Sequence, residues 1–237
     1  MGVRLMMSAS SEPRYFALVP CAGLGSRAAT AGPKQYQPLA GRPMVMHTLA
    51  ALAAVRRIVK TVVVVAPGDG FFDRNFSPAM ALPCGGATRA ASVLNGLHEL
   101  SRLGAQPDDW VLVHDAARCL VTPQLVDALM DACRDDPVGG LLACRLSDTL
   151  KAEADGRVGA TVPRDGKWLA QTPQMFRLAT LIEALQHAGD AVTDESSAIE
   201  ALGLHPLLVS GSTENFKVTY PEEMIMAEAV LRSRQSS

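Results

Sequence analysis

Apolar and polar positions along this chain follow two alternating rhythms. Short runs rich in β-branched and aliphatic residues, at 16–20, 61–66, 79–83, 110–114, 140–145 and 206–210, read as strands. The second, "TVVVVA", is apolar nearly throughout, which suits a strand covered on both faces of a parallel sheet. Between these runs, apolar residues recur at three- and four-residue steps and predict helices over 44–57, 89–103, 123–134, 178–187, 194–202 and 221–232. In the second of them Val93, Leu94, Leu97 and Leu100 form one stripe, with Thr88 placed to cap the helix. In the fifth, Thr193 stands at the N-cap and Ser196 at N3 of a weakened capping box. Alternation of this kind predicts an α/β doubly wound sheet, whose ligand sits at the carboxyl ends of the strands.

One segment breaks the rhythm. Residues 147–167, "SDTLKAEADGRVGATVPRDGK", hold two Asp-plus-Gly turn signals and little core. "EADGRV" reads as a hairpin tip, with "DTLKAE" and "GATVPR" as its arms. A lone two-stranded hairpin is marginal in water, so this one needs another surface, most simply the same arm of a second subunit. The predicted organisation is a flexible tail over 1–14 and a single domain over 15–233, from which 147–167 projects as a dimerisation arm.

Composition narrows the function. The 237 residues are 48% hydrophobic and 19% charged, which fits a globular protein rather than a disordered one. A net charge of −2 leaves no basic footprint, so nucleic acid is not expected as a partner. The five cysteines show neither CxxC pairing nor cysteine–histidine metal spacing and read as reduced, mostly buried thiols of a cytoplasmic protein. The opening "MGVRLMMSASSEPRYF" lacks a sustained apolar stretch, so neither a secretory signal nor a membrane partner is expected. The longest apolar run is far below the ~18 residues a bilayer demands.

The chemistry starts at "FALVPCAGLGSRAATAGPKQY", residues 16–36, where a strand ends in a loop of small residues followed by Arg27 and Lys34. Pro33 between Gly32 and Lys34 breaks a Walker A pattern, and Ala28 stands where a dinucleotide fingerprint needs its third glycine. What remains is a strand-end loop in which Gly23 and Gly25 let backbone N–H groups approach a polyphosphate, with two cations beside it. The alternative, that both are ordinary solvated surface residues, is disfavoured by their place beside a glycine loop at the end of a strand.

"PCAGLGSRAATAGPKQY" resembles the G-x-G-x-R…P-K-Q signature of nucleotidyltransferases, and most closely that of the 2-C-methyl-D-erythritol 4-phosphate cytidylyltransferases of isoprenoid precursor synthesis. The resemblance continues through "GGATRAASV", "VLVHDAAR", "SDTLK", "TVPRDGKW", "QTPQMF", "TDESSA" and "NFKVT". It departs at Cys21 and Cys119, where the family commonly has Ala and Pro. A ribitol-5-phosphate cytidylyltransferase or another polyol-phosphate nucleotidyltransferase shares the fold and the first motif. A nucleotide sensor without catalysis would keep the glycine loop but not all the cations.

The resemblance implies a Rossmann-like, doubly wound mixed sheet with a protruding β-hairpin arm, a homodimer, and CTP, 2-C-methyl-D-erythritol 4-phosphate and Mg²⁺ as ligands. A phosphate attacks the α-phosphorus of CTP and pyrophosphate leaves. Since the second pKa of a phosphate monoester is near ~6, the nucleophile is already largely dianionic and no general base is required. Positioning, cations and a metal then carry the reaction. By resemblance, Arg27 and Lys34 stabilise the transition state, while Arg164 and Lys217 aim the attacking phosphate. Asp115, at the end of "WVLVHD", corresponds to the metal carboxylate, with His114 beside it as a packing residue. Pro20, Cys21, Ala22, Gly23, Gly25, Gly85, Gly86, Ser92 and Ala116 correspond to nucleotide contacts, with Gly85, Gly86 and Ser92 reading cytosine. Arg118, Thr149 and Thr193 correspond to contacts with the second substrate. Thr149 and Arg164 lie on opposite arms of the hairpin, so interlocked arms would make each subunit lend residues to its neighbour.

Overall fold

The computed structural model describes residues 12–23, 32–75, 77–189 and 192–235. The first strand, β1 (Tyr15–Pro20), is followed by a 3-10 turn (Lys34–Tyr36), the short pair β2 (Pro38–Leu39) and β3 (Arg42–Pro43), and α1 (Met44–Ala53). Then come β4 (Ile58–Val64), α2 (Phe71–Arg74), β5 (Met80–Leu82), α3 (Arg89–Arg102), β6 (Trp110–Val113) and α4 (Pro123–Cys133). The second half holds β7 (Gly139–Arg145), β8 (Leu150–Ala154), β9 (Arg157–Val162), β10 (Trp168–Arg177), α5 (Leu178–Ala188), α6 (Glu195–Ala201), β11 (Leu207–Ser210) and α7 (Pro221–Gln235).

Seven strands form one sheet in the order β11-β7-β10-β6-β1-β4-β5. β1 pairs in parallel with β4 and β6, and β10 runs antiparallel to both β6 and β7. The sheet is therefore mixed, as the resemblance implies. β10 itself is missing from the hydrophobic pattern, because Gln171, Thr172, Pro173 and Gln174 interrupt its apolar run. Those residues form a bulge where the register against β7 slips between Ala170 and Gln174.

Because β1 and β4 are buried on both faces, alternate residues feed two cores. Ala17, Val19 and Val63 face Leu49 and Leu52 of α1 and Leu129 of α4. Leu18, Val62 and Val64 face Val93, Leu97 and Leu100 of α3 and Leu181 of α5. The stripe expected on α3 is thus its buried face, and Thr88 Oγ1 caps it by accepting from the Ala91 amide at 3.1 Å. Gly96 permits the close approach: a Cβ there would lie 2.6 Å from Val64 Cγ2. A third, smaller cluster, with Leu39, Met44, Leu120 and Val218, packs under Ala227 of α7.

One expectation lies largely outside the described residues and another needs correcting. The flexible tail falls on residues 1–11, outside the described residues, and on 12–14, where Arg14 is fixed. The Arg14 amide donates to Asp109 Oδ1 at 2.8 Å, and its guanidinium pairs with Asp109 Oδ2 at 2.6 Å. The capping box of α6 is shifted by one residue: Asp194 is the N-cap and Ser197 is N3, each side chain bonding the other's backbone N–H. A carboxylate is the better acceptor at a helix N-terminus, so Asp194 displaces Thr193 from that role.

The odd segment is a two-stranded hairpin, β8 against β9, separate from the main sheet. Asp155 and Gly156 at its tip have φ of 49° and 74°, the left-handed pair that a tight two-residue hairpin turn requires. Nearly all of its residues are exposed.

Candidate active site

The segments that follow β1, β5 and β6 meet around one cavity of about 530 Å³, a volume suited to a nucleotide. Its floor is the loop after β1, with Pro20, Cys21, Ala22 and Gly23 on the wall. Gln35, a residue to which the sequence assigned no role, holds that loop: its Nε2 donates to the carbonyls of Cys21 and Gly23, both at 2.9 Å. Two loop carbonyls are thereby engaged away from any ligand. Gly25 and Arg27 lie outside the described residues. Lys34 lines the cavity and donates through Nζ to the carbonyl of Val218. Burial pushes the Cys21 thiol up to about 12, so it stays protonated and serves as a small packing residue.

The opposite wall is the loop into α3. Gly86 and Ser92 face the cavity, and Ser92 Oγ accepts from the Gly86 amide at 3.0 Å while donating to the Thr88 carbonyl at 2.9 Å. Gly85 stands behind them. Its N–H is spent on the Val65 carbonyl at 2.9 Å, and a Cβ there would lie 2.3 Å from Ala22 Cβ. The absence of a side chain at Gly85 therefore lets the two loops touch.

Asp115, just beyond β6, is the electrostatic centre. Arg89 Nε approaches its Oδ1 at 3.0 Å, and Lys217 Nζ reaches its Oδ2 at 2.9 Å. Arg118 Nε lies 3.9 Å from the same Oδ2. Burial alone would raise the pKa of Asp115, but Arg89, then Lys217 and Arg118, hold it well below the usual carboxylate range. Arg89 is also committed to Glu195, a fully buried acid on α6, whose carboxylate accepts from both terminal nitrogens at 2.7 and 3.0 Å. Sequence reasoning missed both residues.

The β10 bulge ties these parts together. Thr172 Oγ1 accepts from the Asp115 amide at 3.0 Å and lies 3.0 Å from His114 Nδ1. If that hydroxyl donates to Nδ1, the His114 proton sits on Nε2 and is donated to the Arg118 carbonyl at 3.1 Å. Burial lowers the His114 pKa to about 4, which keeps the ring neutral and makes it a packing residue, as its sequence position suggests. Gln174 Nε2 bonds Asp194 and its Oε1 accepts from the Ser196 amide, so the bulge also docks the start of α6. Thr48 Oγ1 and the Val218 amide bond the carbonyls of Ala116 and Ala117, fixing the strand-end loop from the other side. Cys119 is buried in the third cluster. The Arg118 guanidinium donates to the carbonyls of Asn215 and Ala170, at 2.8 and 3.1 Å, so a loop with Cys in place of Pro is nonetheless firmly held.

A second recess of about 190 Å³ adjoins the first and shares Arg89, Asp115 and Lys217 with it. Arg118 and Thr193 also line it. Two cavities that meet at one carboxylate suit two reactants brought end to end. Thr149 and Arg164 belong to neither. Thr149 is exposed, and Arg164 lines a recess at the base of the arm with Arg145, Lys167 and Trp168 while donating to the Ser147 carbonyl. Within one protomer the arm residues are not brought to Asp115. Among the described residues no three His, Cys, Asp or Glu side chains gather to hold a metal, and no helix is long and apolar enough to cross a membrane.

The sequence profile of the 2-C-methyl-D-erythritol 4-phosphate cytidylyltransferase family, IspD, matches residues 15–233. A bifunctional IspD/IspF enzyme of Albidiferax ferrireducens is 63% identical over 98% of this chain, which spans only 56% of that protein. A 2-C-methyl-D-erythritol 4-phosphate cytidylyltransferase of Paraburkholderia phytofirmans is 54% identical over 92% of this chain and 96% of its own length. Among solved structures, a 4-diphosphocytidyl-2C-methyl-D-erythritol synthase superposes with a TM-score of 0.83 at 38% identity, covering 94% of this chain and all of its own. A 2-C-methyl-D-erythritol 4-phosphate cytidylyltransferase from Thermus thermophilus gives 0.77 at 33% identity, over 92% of this chain and 99% of its own. With its glycine loop, its strand-end Asp115 and the surrounding cations in one cleft, the chain belongs to the 2-C-methyl-D-erythritol 4-phosphate cytidylyltransferase family.

Proposed function

We propose that the cleft around Asp115 transfers the cytidylyl group of CTP to 2-C-methyl-D-erythritol 4-phosphate, releasing pyrophosphate, as a nucleotidyltransferase of isoprenoid precursor synthesis. The single observation that carries this reading is the pair of cavities joined at Asp115, Arg89 and Lys217. CTP takes the larger one, its base toward Gly86 and Ser92 and its phosphates toward the glycine loop and Lys34. The polyol phosphate takes the smaller one, beside Arg118 and Thr193, with Lys217 between the two. Lys34 and Arg27 act on charge that builds on the α-phosphoryl oxygens in the transition state, and Lys217 aligns the attacking phosphate.

Asp115 is the residue that would hold Mg²⁺ on the triphosphate. Its fit rests on donor chemistry: a hard carboxylate that lines both cavities suits a cation that takes most of its other ligands from phosphates and water. When bound there, the metal supplies neutralisation of the phosphoryl oxygens.

The second substrate's site is completed by a partner subunit. Thr149 and Arg164 sit on an exposed arm away from their own Asp115, and a two-stranded ribbon with nearly every residue exposed calls for a neighbour to cover it. The resulting homodimer shares residues through the 147–167 arms. Mixing an Arg164→Ala chain with a Lys34→Ala chain tests function and assembly together. In heterodimers one complete site re-forms and cytidylyl transfer from CTP returns. Absence of recovery in a mixture shown to contain heterodimers refutes the shared site, and a pyrophosphate-release preference for ribitol phosphate refutes the substrate.

A further inference from the structure

Asp115 faces an excess of positive charge. Arg89, Lys217 and Arg118 all approach it, and a carboxylate clamped by cations is a poor ligand for another cation. Arg89 is the critical neighbour, because a guanidinium can take both oxygens of a carboxylate in a two-pronged grip. In the structure it does not. Its two terminal nitrogens, the natural fork, are spent on the fully buried carboxylate of Glu195 at 2.7 and 3.0 Å. Only Nε is left for Asp115, as one hydrogen bond of 3.0 Å to Oδ1. Glu195 is itself locked: it opens α6, whose N-cap Asp194 is bonded by Gln174 of the β10 bulge, and that bulge also supports the Asp115 amide through Thr172. Acid, guanidinium and acid are therefore held in a fixed row by one piece of scaffold.

We propose that Glu195 is a positioning residue of the nucleotidyl-transfer site: it occupies the fork of Arg89, so that Asp115 stays exchangeable for the divalent cation that enters with the nucleotide. This rests on Asp115 being the metal carboxylate. Glu195 touches no reactant. Without its charge, Arg89 swings its fork onto Asp115 and competes directly with the metal. The same row joins α6, which follows the polyol-side residue Thr193, to α3, which follows the nucleotide loop.

The test is the factor by which saturating Mg²⁺ tightens CTP binding, measured by calorimetry on the 237-residue protein with no second substrate present. In Glu195→Gln this factor falls about tenfold, a coupling change within the ordinary range for linked sites. Thermal melting of the same protein reports any loss of packing separately. A lowered melting temperature with an unchanged Mg²⁺ factor overturns the proposal. The double variant Glu195→Gln/Arg89→Gln removes the competing fork as well and returns the factor to the wild-type value. Should the single variant not fold, the double variant decides: a factor that stays low shows that Asp115 is not governed by this fork. Asp115→Asn abolishes the factor altogether if the metal reading is right. If it leaves the factor intact, that reading fails, which is distinct from failure of the role of Glu195 alone.

Discussion

Replacing Asp115 with Asn keeps the shape of the side chain and removes its charge, leaving Arg89, Lys217 and Arg118 facing one another, with Glu195 still paired to Arg89. Hydrogen bonds to charged groups contribute about 1.5–3 kcal/mol each. The Lys217 contact is discounted, since that side chain is 40% exposed and its pairing is screened by solvent. The net cost is about 3 kcal/mol, which for a chain of this size lowers Tm by about 6–12 °C. The sign with pH follows from the depressed pKa of Asp115. Its stabilisation is complete above the unfolded value near ~3.9 and is lost as pH falls through the lower folded value, so wild type and variant differ at neutral pH and converge in strong acid. The variant also has a second, opposite signature. With the carboxylate gone, triphosphate meets uncompensated cations, and metal-free CTP binds about tenfold more tightly, a gain of about 1.4 kcal/mol. Differential scanning fluorimetry across pH and calorimetric titration of CTP with a chelator measure both. An unchanged Tm, or metal-free CTP that binds no better than to wild type, refutes the electrostatic account of this site.

Three further outcomes follow from individual contacts. On the proposed role of Lys34 in the transition state, Lys34→Ala lowers kcat by orders of magnitude with a modest change in KM for CTP; steady-state kinetics separates the two. Gln35→Leu frees the carbonyls of Cys21 and Gly23, raising KM for CTP about tenfold while the melting temperature falls by only a few degrees, as loss of two hydrogen bonds at a partly solvated loop costs about 1–2 kcal/mol. Asp109→Asn destabilises the protein by about 2 kcal/mol at neutral pH, since Asp109 is buried and accepts from Arg14 and from the Gln106 amide. Burial raises its pKa but Arg14 and the Gln106 amide more than reverse this, so the difference vanishes as pH drops below the usual carboxylate range in denaturant melts.

What the sequence determined by itself is whatever depends on local periodicity and turn chemistry. Alternation between β-branched runs and helical stripes is enough for an α/β sheet, because each element must bury its own apolar face. Asp155–Gly156 specifies the hairpin tip, since a tight turn needs left-handed backbone at two successive positions. The glycine loop, the cap at Thr88 and the carboxylate at the end of β6 are likewise readable one segment at a time. Tertiary structure decided the rest. β10 is masked in the sequence by Gln171, Thr172, Pro173 and Gln174, polar residues that read as a loop until they are seen bonding Asp115, His114, Asp194 and Asn215 from within a bulge. Gln35 has no local partner at all; its work is across the loop it follows. Glu195 looks like an ordinary acid in the first turn of a helix, stabilised by the dipole alone. Only the docking of α6 beside α3 buries it against Arg89, and only the meeting of strand ends brings Arg89, Arg118 and Lys217 to one carboxylate. Charge partnerships of this kind carry no sequence period, because the distance between two charges is set by which elements the sheet order makes neighbours.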